Sequence, residues 1–227
     1  MKKIFILFAI FTFCSSILCQ EYQQKRPERI EKLMKAVGNE DSWRTAKGFH
    51  MLEIANFSGL KLPLVRNFWI DFENPRIKIV TESAERIQKR ALNIDSGWTH
   101  ENGETKEWEV DIVNGYRSFW PGIPTRIFHL IASEDPILTY ELAEDRINFF
   151  IEGKFVVWIA TDAQGNPVAY GRSNNHAETH FLGEMINYGE VRLWKEAFET
   201  GGQWSVVMVN YRLLEDLSEI SYVAPSK

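Results

Sequence analysis

Residues 67–80 read NFWIDFENPRIKIV. Phe68, Ile70 and Phe72 alternate with Trp69 and Asp71, and the run breaks at Asn74-Pro75 before Ile77 and Ile79 resume it. A period of two sends successive side chains to opposite faces, the mark of a half-buried strand rather than a helix. Arg86 to Ile94 is a further strand candidate, and Gly97-Trp98 and Glu101-Asn102-Gly103-Glu104 are turn signals. The Asn-Gly pair suits a two-residue hairpin. The stretch therefore predicts an antiparallel meander with one wet face.

The segments on either side complete the architecture. Arg26 to Gly38 predicts a helix, because Ile30, Leu33, Met34 and Val37 fall at i, i+3, i+4 and i+7 and form one apolar stripe. Pro27 suits its first turn and Gly38 its C-terminal cap. Glu28 with Lys32, and Glu31 with Lys35, are correctly ordered pairs for its wet side. Between 109 and 146 the strand pattern stops. Pro121-Gly122-Ile123-Pro124 forms a rigid turn, Thr125 is placed to cap a short helix through Ile127, Phe128, Leu130 and Ile131, and Leu138 to Leu142 is read as one more helical turn. Strands return at Arg146–Ile151, Phe155–Thr161, Val168–Ser173 and Gln203–Leu214. The expected fold is mainly β with a few helices (α+β): a curved antiparallel sheet forming an open or half barrel, with an N-terminal helix and a central helical insert over its concave face.

The first residues bear on compartment. Lys2 and Lys3 precede an apolar run from Ile4 to Phe13, followed by a small-residue exit at Ser15-Ser16, which describes a secretory signal peptide over 1–19. The apolar run is short for a membrane span of about 20 residues, although a retained anchor is the alternative. Bulky Leu18, where lipid processing wants a small residue, argues against a lipid anchor at Cys19. Cys14 and Cys19 are the chain's two cysteines, so the expected mature domain, 20–227, has neither a disulfide framework nor a thiol nucleophile. The net charge of −5 becomes −7 once Lys2 and Lys3 are removed. An acidic exported chain carries no electrostatic footprint for nucleic acid and adheres poorly to anionic lipid surfaces.

Taken in order, the leading helix RIEKLMKAVG, the meander, GWTHENG, the central helical insert and the hairpin VVWIATDAQGNPVAYGR resemble the exported LolA-like and LppX-like family of lipoprotein carriers. The resemblance implies an open barrel or half barrel whose concave face, closed by helices, shelters an acyl chain or other apolar ligand in the periplasm. It carries no catalytic signature, and the eight tryptophans are more than such a fold needs.

The most catalytic-looking string is NNHAETH, residues 174–180. Its His-x-Glu-x-His order does not match the His-Glu-x-x-His of zinc proteases. A helix over 175–187 would bring His176, His180 and Glu184 onto one face as a metal-ligand set, but Gly183 opposes it. A strand fits better, with Asn174-Asn175 as the turn, His176 opposite Ser173, Glu178 opposite Gly171 and His180 opposite Ala169. That register puts Val168, Tyr170, Ala177 and Phe181 on a buried face and the two histidines on a wet one. The histidines then stand roughly 13 Å apart, too far to share an ion. No metal site is expected.

The search for other chemistry is negative. There is no G-x-S-x-G elbow, phosphate-binding loop or dinucleotide fingerprint, and no cofactor is implied. The acidic pairs Glu134-Asp135, Glu144-Asp145 and Glu215-Asp216 read as solvated turn residues. Most tryptophans are expected in the core, with Trp98, Trp108 and Trp120 near loop tips where they are able to stack on sugars or enter lipid. The leading expectation is a non-enzymatic periplasmic binding or carrier protein. Its hydrophobic ligand, a lipid or acyl chain, would lie against Phe68, Ile70, Phe72, Phe149, Ile151, Val157 and Ile159 beneath the 124–142 helices. The alternative is an exported protein of polysaccharide utilisation or degradation, sugar-binding or lyase-like, built on Tyr170, Arg172, His176 and His180. Against it, the hairpin register sends Tyr170 and Arg172 to the face opposite the histidines.

Overall fold

The computed structural model describes residues 26–173 and 179–225. The expected signal segment, both cysteines, His176 and Glu178 lie outside these residues. Two helices lead, α1 (Glu28–Ala36) and α2 (Glu40–Thr45), followed by six strands: β1 (Gly48–Phe57), β2 (Leu64–Asp71), β3 (Arg76–Glu82), β4 (Ile87–Asn93), β5 (Ser96–Glu101) and β6 (Glu104–Glu107). Helices α3 (Val110–Phe119) and α4 (Pro124–Ala132) follow, joined by a 3₁₀ turn at Trp120–Gly122. The remaining strands are β7 (Leu138–Leu142), β8 (Ile147–Ile151), β9 (Lys154–Thr161), β10 (Pro167–Gly171), β11 (His180–Leu182), β12 (Met185–Tyr188), β13 (Val191–Trp194), β14 (Glu196–Glu199) and β15 (Trp204–Leu214).

Among the described residues thirteen strands form one antiparallel sheet in the order β6-β5-β4-β3-β2-β1-β15-β14-β11-β10-β9-β8-β7. Its ends, β6 and β7, do not pair with each other, so the sheet is curved and open, as the meander signals predict. The strands β1–β6 form one meander and β7–β10 a second. The eleven-residue β15 pairs with β1 on one side and β14 on the other and so joins them. Two hairpins turn through left-handed backbone at both turn residues, Asn102 (φ 53°) with Gly103 (φ 81°) and Glu152 (φ 50°) with Gly153 (φ 75°). That geometry matches the right-handed twist of the flanking strands.

Helix α1 buries the predicted stripe of Ile30, Leu33 and Met34. Glu28 and Lys32 pair at 2.9 Å on its exposed side, a contact worth a few tenths of a kcal/mol. Gly38, at φ +110°, ends the helical segment where a Cβ would lie 2.6 Å from the Glu190 carbonyl oxygen, so only glycine fits both backbone and space. Helix α2 is capped by Asn39, whose side chain accepts from the Asp41 N–H. Its Trp43 packs edge-on against Phe128 of α4, with ring centroids 5.5 Å apart. With Phe149, Ile147, Val157 and Ile159 these groups form a packed core, each at most 1% exposed.

The segment 138–142 is a strand and not the expected helical turn. Leu138 and Tyr140 alternate with exposed Thr139 and Glu141, and backbone pairing with β8 secures the extended form. Helix α3, absent from the sequence reading, fills part of the interruption at 109–146 and lies against β4 and β5. The tryptophans are mostly structural. Indole N–H groups of Trp43, Trp98, Trp120 and Trp158 donate to the carbonyls of Val37, Tyr222, Asp71 and Ser173, and Trp108 donates to Thr99 Oγ1. Trp98 and Trp120 are thus tied into the fold and do not form loop-tip platforms. Phe128→Ala, which empties a fully buried site against Trp43, is expected to cost about 3–5 kcal/mol. Ile87→Ala on an exposed strand position is expected to change stability by less than about 0.5 kcal/mol. Urea unfolding of the two variants measures both.

Candidate functional site: a cavity with charged groups in an apolar wall

The period of two assigns each strand an inner face. On β1 this is Phe49, Met51 and Glu53, set opposite Ile70, Phe68 and Arg66 of β2. Strand β3 continues with Ile77 and Ile79, and β4 with Leu92 and Arg90. Helix α3 lies across this surface and contributes Ile112, Tyr116 and Phe119. Between the helix and the sheet is a cavity of about 800 Å³, well within the range of small-molecule sites.

Charged groups interrupt the apolar lining in a definite pattern. Glu53, 2% exposed, forms an ion pair with Arg66 directly across from it. Burial pushes the Glu53 carboxyl up from its ordinary range, and the Arg66 charge opposes that shift. The Arg66 guanidinium lies 5.1 Å from the ring centroids of both Phe57 and Phe68. Arg172 sits 3.6 Å over the ring of Phe119. Aromatic faces thus supply part of the solvation that these cations give up on leaving water.

The 168–182 hairpin is shifted by one residue from the sequence-based register. Tyr170 pairs with His180 and Ala169 with Phe181. In an antiparallel pair, opposite residues share a face, so Tyr170 and His180 stand together with ring centroids 4.6 Å apart. Both line the cavity, as does Arg172. Val168 and Phe181, expected to be buried, are each 39% exposed, and Phe181 stacks on Phe198 of β14. The wet face expected for His180 is therefore corrected, as is its separation from Tyr170 and Arg172. Residues 180–182 and 185–188 are strands, so the helix needed to set His180 and Glu184 on one face is not formed. Among the described residues no group of three or more His, Cys, Asp or Glu is placed to hold a metal ion.

Of the expected apolar contacts, Phe68 and Ile70 line the cavity. Phe72, Phe149, Val157 and Ile159 belong to the packed core with α1 and α4, and Ile151 packs against its edge. They lie away from the cavity, in the core formed with α1 and α4, whereas α3 rests on β4 and β5 and leaves space over the inner face of β1–β3. Sequence reasoning missed Glu53, Arg66 and Arg90, although each lies in phase with the apolar residues of its strand. It also missed Tyr116, at i+4 from Ile112 with Phe119 at i+7, a helical spacing.

No family model matches the chain, and no curated protein matches it in sequence. Among solved structures it is similar to a DUF1329 family protein from Desulfovibrio piger, with a TM-score of 0.50 and 8% identity over 86% of this chain and 95% of that one. The likeness is one of fold. A MucA/MucB complex from Pseudomonas aeruginosa gives a TM-score of 0.26 and 12% identity, over 82% of this chain and 56% of that one, too distant to carry an argument. Among the described residues no helix is long and apolar enough to cross a membrane.

The histidine in the cavity has a measurable signature. Burial, and secondly the Arg172 charge, bring the His180 imidazole down to about 4 from an ordinary 6.5. Between these values the unfolded chain takes up a proton that the folded chain refuses. This contribution to stability is complete above about pH 6.5 and is lost as pH falls toward 4. The loss is on the order of 2 kcal/mol once partial exposure is allowed for. His50 and His129, also lowered mainly by burial, add in the same direction. In urea melts at pH 7 and pH 4.5, His180→Gln is expected to show a smaller drop in stability than the parent.

Proposed function

We propose that this chain is a periplasmic binding or carrier protein, exported by a cleaved signal peptide over 1–19, whose single domain over 20–227 holds a hydrophobic lipid or acyl ligand. The observation that carries this reading is the apolar cavity between α3 and β1–β4, formed by Phe49, Phe68, Ile70, Ile77 and Ile79 opposite Phe119. A close-packed domain does not keep so large an apolar space without a use for it. Each methylene buried there contributes about 0.8 kcal/mol, so a chain of a dozen carbons has ample driving force even after ordering costs. The resemblance to the LolA-like and LppX-like family agrees with the open curved sheet and with the helices on its concave side.

The polysaccharide reading gains from the meeting of Tyr170, Arg172 and His180 but loses on their chemistry. A tyrosine pushed up by burial and a histidine held near 4 are both poorly tuned as bases near neutrality. The surrounding wall is apolar, whereas a sugar demands polar groups on every side.

A variant separates a ligand cavity from an incidental void. Gly115 of α3 lines the mouth, and a side chain there meets no atom within 4 Å. Gly115→Trp is expected to narrow the entrance while leaving stability unchanged or raised by up to about 1 kcal/mol, because glycine is a poor helix former. Delipidated parent protein is expected to take up the neutral fluorophore N-phenylnaphthylamine, and the variant to bind it at least about tenfold more weakly. Failure of the parent to bind that probe or any acyl chain would end the carrier reading.

A further inference from the structure

The cavity's polar groups are unbalanced in sign. Arg66, Arg90 and Arg172 reach it, while Glu53 is the one acid among the described residues that line it. The surplus is cationic, in a chain whose overall charge is −5. Glu53 is committed to Arg66. Arg90 forms no ion pair with any described residue, and its Nε is shielded from solvent with no hydrogen-bond partner. The Nε of Arg66, Tyr211 OH and Thr125 Oγ1 are in the same condition, and all line the cavity. Buried donors left without acceptors are costly, and these belong to residues gathered around one cavity, so they bear on what it takes up.

Register places the charge relative to the apolar wall. Phe68 is opposite Ile79, and Ile79 is opposite Arg90. One row of the inner face therefore runs from aromatic to aliphatic to guanidinium across neighbouring strands about 4.8 Å apart. Arg66 is two residues from Phe68 on the same face of β2, and Arg90 is close enough to weaken its hold on its proton. Two guanidiniums thus lie near each other at the end of a hydrocarbon strip, and the one carboxylate among the described lining residues is paired with Arg66.

We propose that the ligand is an anionic amphiphile, whose carboxylate or phosphate head docks on Arg66 and Arg90 while its tail lies along Phe68, Ile79 and Ile77. This rests on the apolar-ligand reading above and narrows it to a chemical class. A planar guanidinium offers paired donors that match either head group. The head relieves the like-charge approach of the two arginines and offers acceptors to their guanidinium groups. An uncharged ligand leaves both costs in place.

The test is calorimetric titration of delipidated full-chain protein with three ligands of equal tail length: palmitate, hexadecyl phosphate and hexadecanol. At least one of the anions is expected to bind about tenfold or more tightly than the alcohol, and the stronger of the two identifies the head. Arg90→Gln is expected to reduce that preference to about twofold or less, and Arg90→Lys to restore part of it, with circular dichroism melts confirming that both variants are folded. Hexadecanol binding as tightly as both anions would overturn the proposal while leaving the carrier reading intact. A preference that survives Arg90→Gln in folded protein would overturn it as well. Binding of none of the three would defeat the carrier reading itself.

Discussion

The pairing of β15 with β1 is the constraint on which the rest of the structure depends. Each meander alone is a sheet with two edges and one apolar face, which four or six strands cannot shelter. The eleven residues of β15 join them into one concave surface. The splice includes a bulge, since Leu52 pairs with Asn210 and Glu53 with Met208, leaving Val209 as the extra residue. Before the bulge Val206 and Met208 face inward, and after it Tyr211 does. An extra residue reverses the phase of a strand and increases its local twist. Here it places Tyr211 beside Glu53 and bends the sheet where the two meanders meet.

Coverage of that concave surface is uneven. Over the second meander, α4 and the leading helices pack closely, with Phe128 against Trp43 and Ile127 fully buried. Over the first, α3 rests on β4 and β5 and faces the cavity with Ile112, Gly115, Tyr116 and Phe119. The same concave surface therefore carries a solid core under α4 and a cavity under α3. Of the buried charged groups, Glu53 and Arg66 stand in the cavity wall, while Asp71 with Arg76, and Arg126 of α4, are tied into the fold elsewhere. A buried ion pair such as Glu53–Arg66 adds little net stability once desolvation is counted, so its presence in an otherwise apolar wall is better explained by what the wall contacts than by the stability of the fold.

Much of this was legible in the residues, and the limits are physical. The alternation of Phe68, Ile70, Ile77 and Ile79 gave the strands, and Asn102-Gly103 gave a hairpin, because both signals are local. The stripe Ile30, Leu33, Met34 and Val37 gave α1 for the same reason. The partner of β15 was not legible, since pairing strands from opposite ends of a chain leaves no local trace. Nor was α3, whose sequence mixes Val110, Ile112 and Val113 with Asn114 and Gly115 and forms a helix against local propensity because β4 and β5 give its apolar side a place to pack. Arg66, Arg90 and Glu53 were visible by phase, each two residues from an inward apolar side chain. A charged residue in phase with a buried face is a signal in its own right, and a search for familiar catalytic motifs passes over it.

The histidine string shows how narrow the margin is. Taking Asn174-Asn175 as a two-residue turn put Ala169 opposite His180, and the observed pairing of Tyr170 with His180 differs by a single residue. Because side chains alternate, a slip of one exchanges the two faces completely. The turn residues cannot settle which register holds, since both leave small or apolar groups on each side. What decides it lies across the sheet: His180 packs its ring 5.2 Å from that of Trp204 on β15, while β11 pairs with β14 from Leu182–Ala197 to His180–Glu199. The same central strand that joins the meanders thus fixes the face of His180. In that position the imidazole is desolvated and neutral, part of an aromatic wall with Tyr170 and Trp204, and the positive charge in the cavity belongs to the arginines.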